Sequence, residues 1–362
     1  MNVYGVIIAG GQGKRLWPLS RAARPKPALA VPKGLPLIRQ ALRRLEQVVE
    51  HGNTILVTNE ELFAPLYGAV REVPVENVLS EPVSRNTAAA IGLACIHILA
   101  KQKDAVVIVT PADHYVQDEE RFTQLLRRAV RVCSSSDVVV VFGVRPGGPS
   151  TNYGYIAKGE ALPGPDDQGE VRDVYRVARF TEKPSKDRAE QFVSDGYLWN
   201  AGIFVFRAAT MIQAIGKHLP ELASALDTIQ QQMKGPYERK KIKEEYTKLR
   251  DVSIDKGIIE KLDNVAVMEM DTGWADLGSF EQIANIMVPG DASGNQRIGT
   301  GFDLNSTNTL VISEEGLVVT ADVHDIMVIV SEGRVLITKK DNDSAIAALV
   351  DKLRTDGLKE YL

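Results

Sequence analysis

Cysteine is scarce in this sequence, with two among 362 residues. Cys95 and Cys133 both fall in stretches of helical period, so no disulfide framework is expected and a reducing compartment fits. No Cys/His spacing of the metal-binding kind occurs either. Positive charge is not in excess: 43 Lys and Arg stand against 47 Asp and Glu, for a net charge of −4. That balance excludes the basic surface that general binding to nucleic acid or an anionic membrane requires. Long apolar runs are also missing, and none reaches the roughly 18 residues of a membrane helix. The N-terminal apolar run is too short for a signal peptide and lacks a basic segment before it, so a cytoplasmic protein is expected. What is left is an ordinary globular composition, 44% hydrophobic and 25% charged. The chain is long enough for one large domain and one small one.

The stretch richest in chemistry is Gly5 to Pro27, GVIIAGGQGKRLWPLSRAARPKP. An apolar run ending at Ala9 reads as a buried strand. It turns through Gly10, Gly11 and Gly13 into Lys14 and Arg15, and Lys26 follows between Pro25 and Pro27. Glycines let a backbone approach an anion closely and aim N–H groups at it. Arg15 offers a planar fork for phosphate oxygens and Lys26 a compact charge, with its flanking φ angles fixed by proline. Polyphosphate binding is the reading of that order, against a plain strand-to-helix turn with solvated cations. A Walker loop is excluded because Arg15 stands where Ser or Thr is needed. The dinucleotide fingerprint of an NAD(P)-dependent oxidoreductase lacks its third Gly, where Leu16 stands.

The first 140 residues alternate short β-branched runs (3–8, 54–58, 105–110, 138–142) with helical periods (35–49, 88–101, 119–133). That pattern predicts an α/β fold with a Rossmann-like, mostly parallel sheet flanked by helices. Ligands of such sheets bind beyond the carboxyl ends of the strands, where the Gly10 loop and the turn Thr110-Pro111-Ala112-Asp113-His114 both lie. After Gly143 come a hairpin loop at 163–169, a strand at 171–180 and a helix at 186–194. Residues 211–250 have helical period, and the charged run 238–248 reads as a solvated face with no assigned partner. From Asp291 glycines loosen the chain, and strands are expected at 309–312, 317–320, 327–330 and 334–338 before a closing helix at 343–354. The expected domains are therefore 1–288 and a small C-terminal β domain, 289–362.

Several loops carry polar groups with two readings each. In Glu81-Pro82-Val83-Ser84-Arg85-Asn86-Thr87, Asn86 or Thr87 suits a helix N-cap, while Glu81 could accept from the edge of a nucleotide base and Asn86 could bond it. Asp113 is either an Asx-type turn or a Mg²⁺ ligand at a strand end. Gly154, Glu182, Lys183, Asn200 and Gly202 each set a polar group or an open wall beside an apolar strand, as ordinary turns do and as a sugar site requires. Asp255 and Asp276 read as helix caps or as ligands.

In order, GQGKRLWPLS with PKP, EPVSRNTAAA, PADH, GYI, FTEKP, NAGIF, SIDKGIIEK and WADLGS resemble the motifs of the sugar-phosphate nucleotidyltransferases, specifically the mannose-1-phosphate guanylyltransferase branch. The resemblance covers nearly the whole chain. It implies a GT-A-like catalytic domain, a short left-handed β-helix at the C-terminus, and GMP transfer from GTP to mannose 1-phosphate. It implies Arg15, Lys26, Asp113, Lys183 and Asp276 as catalytic residues, with Mg²⁺ or another divalent cation on Asp113 and Asp276. Nucleotide binding falls to Ala9, Gly10, Gly11, Gly13, Lys14, Arg15, Glu81, Arg85, Asn86, Thr87 and Asp113. Sugar-phosphate binding falls to Gly154, Glu182, Lys183, Asn200, Gly202 and Asp255. A homodimer is the candidate assembly. Isomerase fusions of this family carry a further C-terminal domain for which this sequence is too short, so no isomerase activity is expected. Another sugar 1-phosphate, or a non-catalytic GDP-mannose-binding homologue, are the alternatives.

Overall fold

A computed structural model describes residues 2–162, 174–233, 238–340 and 342–362. The expected hairpin loop at 163–169 and the first residues of the strand expected at 171 lie outside the described residues. The chain divides into two compact units. The larger comprises Met1–Gly10, Ala41–Phe63 and Val70–Trp274; the smaller comprises Gly11–Gln40, Ala64–Ala69 and Ala275–Leu362.

The larger unit is built on one sheet. Its strands are β1 (Asn2–Ala9), β2 (Thr54–Asn59), β3 (Val78–Glu81), β4 (Ala105–Pro111), β5 (Val139–Val144), β6 (Gly154–Ala161), β7 (Val174–Glu182), β8 (Leu198–Arg207) and β9 (Val265–Glu269). Their order is β3-β2-β1-β4-β8-β5-β9-β7-β6. Four neighbouring strands, β3, β2, β1 and β4, are parallel, as strand–helix alternation predicts. The sheet as a whole is mixed. β8 runs antiparallel to both β4 and β5, and β7 runs antiparallel to β9.

The apolar run Val106–Val109 is wholly buried because both faces are covered. Val107 and Val109 pack in one cluster with helices Asn86–Leu99, Ala208–His218 and Pro220–Gln232. On strand β5, Phe142 meets Phe122 of helix Glu119–Ser135, ring centroids 6.5 Å apart. Among the described residues the helical period at 211–250 resolves into three helices, the last being Glu238–Lys248. That helix is polar and charged except at Ile242, which packs against the core, and at Tyr246, which is completely buried. Both thiols are free and buried, and burial pushes them up, Cys133 to about 12.

Register sets the functional edge. Ile8 pairs with Pro111, and Asn59 with Glu81, so the carboxyl ends of β1 to β4 finish together. Gly143 pairs with Asn200, Tyr155 with Trp199, and Gly154 with Glu182, which gathers three further loops.

In the smaller unit a separate sheet runs β10 (Gln296–Leu304), β11 (Leu310–Ala321), β12 (Ile326–Ser331) and β13 (Arg334–Lys339). The strands expected at 309–312 and 317–320 are one strand, β11, and β10 precedes them. β10, β11 and β12 are parallel, and β13 folds back antiparallel. Coils stack at a spacing of 17 residues: Thr307 bonds His324, and Asn308 bonds Asp325. The corners are left-handed residues at the same spacing, Asn305 and Asp322, Asn308 and Asp325, the backbone state Asn and Asp tolerate best. Helix Phe280–Met287 opens with a capping box between Ser279 and Gln282, and helix Asp343–Thr355 closes the chain. Among the described residues no helix is long and apolar enough to cross a membrane.

Candidate active site

At the carboxyl edge of the larger unit, β1 ends in Ala9, whose carbonyl accepts from Thr58 Oγ1 at 2.9 Å. Asp113 sits half-buried in the turn that leaves β4. That turn is held from behind. The Ala112 N–H donates to the Ile8 carbonyl at 2.9 Å, and Arg44 Nη2 donates to the His114 carbonyl at 2.9 Å. Arg44 is almost wholly buried, and burial lowers its guanidinium to about 10, against the pull of Glu119 3.9 Å away. Trp274 Nε1 donates to His114 Nδ1 at 3.2 Å, which leaves the ring's proton on Nε2.

The loop after β3 forms a second group. Glu81 is 3% exposed, and its Oε1 has no partner among the described residues. Burial pushes its carboxyl up to about 8, against the Tyr246 hydroxyl, which pulls it down. Arg85 turns its guanidinium to the Tyr246 and Thr247 carbonyls, both at 3.0 Å. Asn86 holds a left-handed φ of 64°. Neither Asn86 nor Thr87 supplies the side-chain N-cap that composition allows. Asn86 Nδ2 donates to Asp251 at 2.8 Å, and Thr87 Oγ1 accepts from the Ile254 N–H at 2.8 Å.

The third group is a knot of carboxylates and amides. Lys183 Nζ lies 2.9 Å from Glu182 Oε1. A Cβ on Gly154 would come within 2.5 Å of Glu182 Oε2, so only glycine leaves that carboxylate its place. Asn200 Nδ2 donates to Asp255 Oδ1 at 2.8 Å, and Asn200 Oδ1 accepts from the Gly202 N–H at 3.1 Å. Asp255 turns its carboxylate inward; burial first, and the Glu182 charge second, raise it to about 7. Trp274, Tyr153 and Trp199 stand ring to ring along this side, with centroids 5.8 and 4.6 Å apart.

In the smaller unit the glycine-rich loop has a different character. Gly13 has a φ of 76°, and a Cβ there would stand 2.5 Å from Lys26 Cβ, so glycine is required on both counts. Lys26 is 8% exposed and donates through Nζ to the Asp276 carbonyl at 2.5 Å. Arg15 reaches the same turn: a Cβ on Gly278 would lie 2.9 Å from Arg15 Nη2 and 3.2 Å from either Asp276 carboxylate oxygen. Asp276 Oδ1 accepts from the Gly278 N–H at 3.0 Å, while Ser279, not Asp276, caps the next helix. Lys14 is 2.6 Å from Asp351 of the closing helix. Trp17 Nε1 donates to the Tyr361 carbonyl at 2.8 Å.

Within the larger unit, then, the structure brings Gly154, Glu182, Lys183, Asn200, Gly202 and Asp255 into one group, and Glu81 and Arg85 around Tyr246. Within the smaller it brings Gly13, Arg15, Lys26 and Asp276 together. Sequence reading missed Arg44, Tyr246 and Asp251, whose roles come from long-range bonds. Tyr246 left one signal, a lone aromatic in a charged helix. Among the described residues no cluster of three or more acidic, His or Cys side chains could enclose a metal ion. Asp113 and Asp276, the residues expected to hold one, each offer hard oxygen donors of the kind a divalent cation takes.

A model of the nucleotidyl transferase family matches residues 4–289. The chain is 32% identical to the mannose-1-phosphate guanylyltransferase ManC of Salmonella typhimurium, over 99% of this chain and 75% of that protein. It is also 32% identical to a mannose-1-phosphate guanylyltransferase of Escherichia coli, over the same shares. Among solved structures, a Thermus thermophilus protein described as a mannose-1-phosphate geranyltransferase matches with a TM-score of 0.85 at 32% identity, over 98% of this chain and 100% of that one.

Proposed function

The chain belongs to the nucleotidyl transferase family, among the mannose-1-phosphate guanylyltransferases, and on that premise we propose that it transfers GMP from GTP to mannose 1-phosphate, forming GDP-mannose and pyrophosphate. The observation that carries the reading is the convergence of Lys26 and Arg15 on the Asp276 turn. Two cations fixed beside a glycine-rich loop suit a triphosphate better than any neutral ligand.

The attacking oxygen belongs to the sugar phosphate, which is already an anion near neutral pH because its second pKa is about 6. No general base is needed, so positioning and charge neutralisation carry the rate. Arg15 and Lys26 are assigned to the triphosphate, with Lys26 on the reacting α-phosphate. Gly11, Gly13 and Gly10 give the phosphates room, beside Ala9. Lys183 is assigned to the sugar phosphate, and Glu182, Asn200 and Asp255 to sugar hydroxyls, with Gly154 and Gly202 as open wall. Glu81 and Asn86 are assigned to guanine, supported by Arg85 and Thr87. Lys14 is assigned to the nucleotide's outer phosphates, in exchange for Asp351.

Asp113 and Asp276 are the residues that would hold Mg²⁺. Bound there, a divalent cation supplies charge neutralisation for the reacting phosphates and the departing pyrophosphate. The transfer chemistry is assigned to 1–288 and a supporting β domain to 289–362. A cytoplasmic setting fits the two free buried thiols. A homodimer is the expected assembly, readable by light scattering.

The test is pyrophosphate release with Mg²⁺ from GTP, ATP, UTP and dTTP, each against mannose 1-phosphate and glucose 1-phosphate. Release confined to GTP with mannose 1-phosphate, and abolished by chelation or by Asp113→Ala, is the expected result. Another productive pair would overturn the base or the sugar assignment. GDP-mannose binding without any release would leave a regulatory homologue.

A further inference from the structure

Residues 246–255 connect two groups that the proposed reaction must use together. At one end Tyr246 is wholly buried, its hydroxyl bonded to Glu81 and 3.2 Å from the Ala89 carbonyl, while its own carbonyl takes the Arg85 guanidinium. In the middle Asp251 accepts from Asn86 Nδ2 at 2.8 Å, and the Val252 carbonyl accepts from the Ala88 N–H at 3.2 Å. Next, the Ile254 N–H donates to Thr87 Oγ1 at 2.8 Å. The following residue is Asp255, bonded to Asn200. Every residue from Arg85 to Ala89 is therefore tied to a short segment that ends in the sugar group.

Asn86 explains why such a tie is needed. Its left-handed backbone is tolerated by Asn but not preferred, so the loop holds that shape only while its surroundings impose it. The Asn86 side chain does so from both ends: Oδ1 accepts from the Thr87 N–H at 2.8 Å, and Nδ2 is anchored on Asp251. Among the described residues the hydrogen bond shown for Asp251 is to Asn86, not to a residue assigned to the sugar, and Asp251 is exposed at the surface. Its effect can only pass through Asn86 and the segment it belongs to.

We infer that residues 246–255 form a strap that couples the two substrates, and that Asp251 is the positioning residue which sets the base-side loop through Asn86. Ordering the loop around a guanine also orders Ile254 and Asp255, so each substrate binds better when the other is present. The coupling is reciprocal, as any equilibrium linkage must be. This inference rests on the assignment of Asn86 and Thr87 to the nucleotide and Asp255 to the sugar.

The experiment is an initial-rate grid of GTP against mannose 1-phosphate for the wild type, Asp251→Ala and Asp251→Asn, with backbone amide exchange of the three free proteins beside it. In the wild type the KM for each substrate falls as the other is raised. Asp251→Ala raises the GTP KM about tenfold, the size of one lost hydrogen bond to a charged acceptor. It raises the sugar-phosphate KM as well, leaves kcat nearly unchanged and flattens the interdependence. Asp251→Asn keeps an oxygen acceptor for Asn86 Nδ2 and restores both KM values. A purely structural role would lower melting temperature and active fraction without this split. KM values in Asp251→Ala within twofold of wild type, or a GTP KM that rises while the sugar-phosphate KM stays fixed, overturns the strap. So does an Asn variant as impaired as the Ala variant. If the wild type releases no pyrophosphate from this pair, the functional assignment fails separately, and amide exchange decides the strap alone. Faster exchange at Thr87, Ala88 and Ile254 in Asp251→Ala supports it, and unchanged exchange at all three overturns it.

Discussion

Lys26 in the smaller unit and Glu81 in the larger are both buried ionisable side chains, and the protein treats them in opposite ways. The Lys26 ammonium has a backbone carbonyl 2.5 Å away and a proline on either side to fix its stem. Glu81 is more deeply buried and leaves one carboxyl oxygen without a partner among the described residues. Burial accordingly drives its pKa to about 8. Asp255 follows Glu81, with a pKa near 7 from burial and the neighbouring Glu182. The lysine is given a backbone acceptor before any ligand arrives. The carboxylates are held close to neutral and become good acceptors only when a ligand brings donors to them. On the proposed assignments, the phosphate-side lysine is paired in advance, whereas base and sugar recognition depends on ionisation of these carboxyls.

The contrast is broken most severely at the cations. Lys26→Ala or Arg15→Ala is expected to lower the rate of pyrophosphate release by about 10²–10³, the usual cost of removing one preorganised charge-stabilising donor. Loss of less than fivefold in both variants would remove the triphosphate from this loop. The next effect is at Glu81. With a pKa near 8 it is mostly protonated at pH 7 in the free protein, and guanine's donors bind its ionised form. GTP binding at pH 7 should therefore release close to one proton, falling away above pH 8. Calorimetry in buffers of different ionisation enthalpy measures it, and Glu81→Gln should abolish the release.

How much of this was legible in the sequence differs between the same two regions. The geometry of the glycine-rich loop reads directly, because the close approach of Gly13 and Lys26 rests on local backbone freedom. The parallel half of the sheet also reads directly from its buried β-branched runs. The direction of β8 does not, since an apolar strand has the same composition either way. Asp251, Tyr246 and Arg44 act on residues far away in the chain, and nothing local marks them. The 17-residue spacing was present in Asn308 and Asp325 and in Gly316 and Gly333. With fewer than three full repeats it does not stand out from ordinary turns.

Two smaller effects sharpen the comparison. Asp255 ionises as pH rises through about 7, so the KM for mannose 1-phosphate should fall over that range. The substrate phosphate titrates too, at about 6. Asp255→Asn carries only that second dependence, and the ratio of the two profiles isolates Asp255. A flat ratio would mean that its carboxylate does not meet the sugar. The smallest effect is expected for Asp351→Ala. Its bond to Lys14 lies at the surface, where solvent screens such pairs and leaves them little net stabilisation. The melting temperature should move by no more than a degree or two, and the GTP KM should fall slightly as Lys14 is released.

The coils at β10 to β12 make the C-terminal part a structure with a natural unit of length. Each coil meets chiefly its neighbours, so its stability approximates a sum of steps. An insertion of 17 residues at a corner such as Asn308 keeps every pairing row and every left-handed turn in phase. An insertion of any other small size shifts the rows and turns inward side chains outward. In evolutionary terms this region can be lengthened by whole coils at little risk to the loop chemistry, whereas the nine-stranded sheet offers no comparable increment.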